Sequence, residues 1–158
     1  MGCNKSSQTV QGEYEKQIQD FIRERIQNYS TKHFSKLEEC EVSFYSEDKV
    51  KVYIKFIPDF GSIIFKNEIW HWSALHALNL SYLFPEIKEY HYSVFDTNNN
   101  KLMDLYLDEG GIRMLPDKFY GQKGPGNYYR FCFTNVEETT IGKELPIDEN
   151  FFEGSGLP

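Results

Sequence analysis

The residue types most able to do covalent or metal chemistry are few: His33, His71, His76 and His91, with Cys3, Cys40 and Cys132. His71 and His76 stand five apart, which on a helix separates them by about 140° and rules out the shared metal that an i, i+4 pair supports. No Cys-x-x-Cys or His-Glu-x-x-His spacing occurs, so the histidines read as packing or surface residues. Cys40 has the strand parity of Val42 and Phe44 and is expected to face the core. Cys132 is out of phase with Phe131 and Phe133, which argues against a Cys40–Cys132 bridge. Asp96, Asn98 and Asn100 imitate the first positions of a calcium loop. However, Lys101 stands where the loop needs glycine and Leu107 where it needs a bidentate glutamate, so the segment reads as a hairpin turn. Gly121-Gln122-Lys123-Gly124-Pro125-Gly126 lacks the Gly-Lys-Ser/Thr ending of a phosphate loop, and Pro125 removes a donor amide. The sequence therefore nominates no catalytic residue, no metal ligands and no cofactor.

The N-terminus carries the strongest chemical pattern. Met1-Gly2 with Ser6 matches the myristoylation signal, and Cys3 beside Gly2 suits a second, reversible palmitoyl-type chain. Two chains are the physically sensible number, because one myristoyl chain holds a membrane only marginally. Alternatively, Gly2-Cys3 followed by Asn4, Lys5, Ser6, Ser7 and Gln8 resembles the cleavage region of a bacterial lipoprotein, with a polar tether after the lipidated cysteine. That resemblance is confined to these few residues. It implies a removed signal sequence, lipid on Cys3 and a place in the cell envelope; the alternative is a cytoplasmic protein, myristoylated or soluble.

The remaining functional signal is aromatic. Tyr120, Tyr128 and Tyr129 flank the glycine loop, and tyrosine offers rigid apolar area with a polar tip at binding surfaces. With Gly124 and Gly126 they form the expected partner-binding segment. The chain of 158 residues has a formal charge of −7, with 40% hydrophobic and 16% aromatic residues. Such a composition supports a packed core. The charge argues against nucleic acid, whose phosphates require clustered Lys and Arg, and favours a protein partner with a basic patch. No apolar run approaches the roughly 20 residues of a membrane span.

The elements that must position these residues follow from periodicity. Residues 1–12 read as a flexible polar leader. Tyr14, Ile18, Phe21, Ile22, Ile26 and Tyr29 then recur at helical spacing. Cys40 to Tyr45 and Val50 to Phe56 alternate as strands around a turn. Residues 66–84 form a helix apolar on nearly all sides, stopped by Pro85. Glu89 to Phe95 and Leu102 to Leu107 form a second hairpin, Gly110-Gly111 breaks the pattern, and Tyr128 to Phe133 reads as a last strand. One α+β domain at 13–137 is expected, followed by an irregular tail at 138–158. Its simplest architecture is a two-layer sandwich, an antiparallel sheet with two helices on one face; a cystatin-like or cone-shaped sheet curved around a helix is the alternative. The functional expectation is a membrane-tethered, non-enzymatic domain that occupies a protein partner, as immunity or exclusion lipoproteins do. The alternatives are a carrier of a small apolar ligand in an aromatic-lined cavity, or an enzyme with a dispersed site.

Overall fold

The computed structural model describes the backbone of residues 2–46, 48–121 and 128–151, and side chains from Gly12 onward within those ranges. Among the described residues the elements are α1 (Gly2–His33), β1 (Leu37–Ser46), β2 (Lys49–Phe56), α2 (Lys66–Leu83), β3 (Ile87–Phe95), β4 (Lys101–Leu107), α3 (Glu109–Tyr120), a 3-10 turn (Tyr129–Cys132), β5 (Asn135–Glu138) and α4 (Thr140–Lys143). The helix α1 thus begins within the segment read as a leader.

The fold is α+β, a five-stranded open sheet in the order β1-β2-β3-β4-β5 with helices layered on one face. Strand alternation sets the two faces of the sheet. Val50, Val52, Ile54 and Phe56 are buried toward the helices, while Lys51, Tyr53 and Lys55 point the other way. Tyr90, Tyr92 and Val94 of β3 continue the inner face and pair with Leu107, Leu105 and Met103 of β4.

The sheet is mixed, which corrects the wholly antiparallel expectation: β2 and β3 run parallel, and the other pairs antiparallel. Between them lies α2, which returns the chain to the starting end of the sheet, so the next strand re-enters in the direction of the last. Such a helix must be covered widely. Ile69, Trp70, Ala74, Ala77 and Leu80 are buried, with α1 packed on one side of α2 and α3 with the 3-10 turn on the other.

Past β4 the sequence reading needs further correction. Gly110 and Gly111 do not break the chain; they lie in the first turn of α3. The Asp108 carboxylate caps this helix, accepting from Gly111 N at 2.8 Å. A Cβ at Gly111 would collide with Thr134 Oγ1, so the tight entry needs glycine. The expected last strand at 128–133 is a 3-10 turn, and the fifth strand lies beyond it at Asn135–Glu138, paired to β4. The described part of the tail is docked. Asn67 clasps Asp148 in both directions, Nδ2 donating to its carbonyl at 2.9 Å and Oδ1 accepting from its amide at 2.8 Å. Gly142 approaches the Leu102 carbonyl so closely that a Cβ would collide with it. At the β3–β4 turn, Asp96 accepts from the amides of Asn98 and Asn100 at 2.9 and 2.8 Å. Asn99 takes a positive φ of 63°, as a tight hairpin turn requires.

Candidate functional site: a groove between α2 and α3

The last turn of α2 buries Leu80 but exposes Tyr82 and Leu83 to solvent, and Pro85 ends the helix. Beside it α3 presents Ile112, Leu115, Pro116 and Tyr120 on one side. Between the two helices lies an open groove of about 520 Å³, floored by Leu78 and Leu115 and rimmed by Tyr82 and Tyr120. Those rim tyrosines are 88% and 74% exposed. Rings that contribute so little to the core leave most of their area free for a partner.

The tyrosines expected to act together are therefore separated. Tyr120 lines the groove. Tyr129 is only 7% exposed, which corrects its reading as a surface ring. Held in the 3-10 turn, it packs edge-on against His71 with ring centroids 4.7 Å apart. Tyr128 is half-buried against the core. Gly124 and Gly126 lie outside the described residues, and the side chains of Gly2 and Cys3 likewise. Tyr82, Ile112 and Pro116 are groove residues that the sequence reading missed. The signal for α3 was present in the Asp108 cap and the spacing of Leu115 from Phe119, but glycine and proline obscured it.

The titratable residues fall into three groups, each with its own geometry. In the core, Ser30, His76 and Tyr92 form a chain of hydrogen bonds. The single hydroxyl hydrogen of Ser30 goes to the Ile26 carbonyl at 2.7 Å, so Ser30 accepts from His76 Nε2 at 2.8 Å. His76 Nδ1 then accepts from the Tyr92 hydroxyl at 2.7 Å. This arrangement requires a neutral imidazole, and burial, followed by the nearby His33, holds His76 well below its ordinary pKa. Burial also pushes the Tyr92 hydroxyl up.

A second group surrounds His71, whose ring is enclosed by Trp72, Phe119, Tyr129 and Phe151. Its buried Nδ1 has no hydrogen-bond partner among the described residues, and burial together with His33 lowers its pKa to about 4. His33, lowered chiefly by burial, hydrogen-bonds the Trp72 carbonyl at 2.7 Å and ties α1 to α2.

On the outer sheet face, Ser93, His91 and Asp104 place hydrolase residue types together. Asp104 Oδ1 accepts from Ser93 at 2.8 Å and meets His91 Nε2 at 2.9 Å, while Lys101 holds Oδ2 at 2.8 Å. The serine hydrogen is thus given to the carboxylate, and His91 reaches Ser93 Oγ at 3.3 Å through the same Nε2 that meets Asp104, not with one ring nitrogen on each as a relay needs. Burial opposes ionisation of Asp104, but hydrogen bonds from Lys101, His91 and Ser93 outweigh it and hold its pKa low.

Cys40 is half-buried and Cys132 buried, both as free thiols. Burial pushes Cys132 up to about 12, far from thiolate reactivity. No cluster among the described residues has the make-up of a metal site, and no described helix is long and apolar enough to cross a membrane. Comparison of the chain with protein-family models, with curated proteins and with solved structures returns no match.

Proposed function

We propose that this chain is a non-enzymatic binding domain, held at a membrane surface by lipid on Cys3 in the manner of an envelope lipoprotein, that occupies a protein partner through the groove between α2 and α3. The observation that carries the reading is the pair of exposed tyrosines, Tyr82 and Tyr120, on the rims of an apolar groove. Tyrosines in that position bring large contact area at low entropic cost, and the groove accepts an apolar anchor residue from the partner. The titratable groups support binding over chemistry, because their hydrogen-bonding capacity is mostly spent within the protein. A partner with a basic patch suits the charge of −7. The test is a pull-down from the native source with Tyr82→Ala/Tyr120→Ala, whose melting temperature is expected to match wild type. Loss of a partner with stability intact supports the site, and undiminished recovery removes it.

A further inference from the structure

A second surface lies on the opposite flank of α2. The helix α1 repeats exposed or half-exposed residues at alternating spacings of four and three: Tyr14, Ile18, Phe21, Arg25, Asn28 and Lys32. The spacing is that of a two-helix seam, with its apolar residues confined to the N-terminal half. Tyr14 and Phe21 are 63% and 56% exposed, and Leu83 of α2 beside the seam is 58% exposed. The C-terminal half of the seam opens into a groove of about 520 Å³ lined by Phe21, Arg25, Asn28, Tyr29, Lys32, Leu83 and Phe84. Among the described residues no carboxylate lines it. Among the described residues, neither Arg25 nor Lys32 has a carboxylate partner.

Charge divides α1 into two unlike halves. Residues 13–20 carry Glu13, Glu15 and Asp20 against Lys16, and residues 23–32 carry Arg23, Arg25 and Lys32 against Glu24. We infer that α1 pairs antiparallel with α1 of a second copy of this chain, across a two-fold axis at the level of Arg23. In that register Tyr14 faces Lys32 of the second copy, Ile18 faces its Asn28, and Phe21 faces its Arg25. The acidic, apolar half of each helix then seats on the basic groove of the other, so both halves are matched by one isologous contact. A parallel pair would stack like charges on like. Phe21 already carries Arg25 over its ring at 4.9 Å, and pairing adds the guanidinium of the second copy from the other side. This surface is separate from the α2–α3 groove and does not rest on the function proposed for it.

The experiment is sedimentation velocity on the 158-residue chain over a concentration series at low salt. The expected species is a dimer whose dissociation constant rises with ionic strength. Ile18→Asp/Phe21→Ser changes two partly exposed positions, so it should leave the melting temperature unchanged and yield a monomer. Arg25→Glu/Lys32→Glu should weaken the dimer about tenfold or more, since Lys32→Glu then meets Glu13 and Glu15 beside Tyr14 of the other helix, and Arg25→Glu takes the cation away from the facing Phe21 ring. Adding Glu13→Lys/Glu15→Lys to the single variant Lys32→Glu, whose charge they face, should restore the constant to within about threefold. A wild-type monomer throughout the series, a dimer that survives the seam variant, or a failure of the added lysines to restore pairing overturns the inference.

Discussion

Acid should loosen this protein before it titrates most of the carboxylates, and His71 gives the cleanest measure of it. Its folded pKa is about 4 against an ordinary value of 6.5. A histidine depressed in the folded state makes the unfolded chain the better proton binder. Its contribution is therefore whole above about pH 6.5 and is lost as pH falls toward the folded value. Between about pH 7 and about pH 5 the loss from His71 alone is about 2 kcal/mol. His33 and His76 are shifted in the same direction, chiefly by burial, so they add to the loss. His71→Phe keeps a ring of similar size among Phe119, Tyr129 and Phe151 while removing the proton site. Urea unfolding at the two pH values should show the stability difference smaller by about 2 kcal/mol in the variant than in wild type. An unchanged difference would refute the assignment of a neutral, proton-excluding imidazole at this position.

Two further outcomes can be checked independently. Ile54 is fully buried on the inner face of β2, so Ile54→Ala should cost about 2–5 kcal/mol in denaturant unfolding. Lys55 on the outer face is half-buried and lies over the Phe95 ring at 4.5 Å, and its replacement by Ala should stay within about 0.5 kcal/mol; equal costs would contradict the face assignment. Expressed from its true start in a competent host, the protein should partition with membranes and Cys3→Ser should release it. Wild-type protein recovered wholly in the soluble fraction contradicts the lipid anchor.

The sequence made the two faces of β2 legible because its alternation reports a physical asymmetry, core on one side and solvent on the other. The helix α2 was legible for a similar reason, since an apolar run stopped by Pro85 leaves few alternatives. Strand direction was not. Period-two alternation is the same in parallel and antiparallel pairs, and only the return path of α2 makes β2 and β3 parallel. The helix α3 was hidden because Gly110, Gly111 and Pro116 lower helix propensity, while the Asp108 cap and packing against α2 override it. Composition also could not sort one tyrosine from its neighbours. Tyr120 and Tyr129 flank the same loop, yet one ends a helix in solvent while the other is folded inward by a 3-10 turn against His71. Tyr82 escaped notice for the converse reason: it belongs to an apolar helix but is turned to solvent while Leu80 in the same turn is buried.

The central claim is that the α2–α3 groove is where a partner sits, and a photo-activated cross-linker in place of Tyr120 tests it most directly. The same cross-linker in place of Ser43, on the outer sheet face, serves as the control. Irradiation in the native source should attach one protein through position 120 and not through position 43. The purified partner should then bind wild-type protein more tightly than Tyr82→Ala/Tyr120→Ala, by about tenfold or more for two rim tyrosines. Equal capture from both positions, or equal affinity for wild type and variant, would contradict the groove as the binding site.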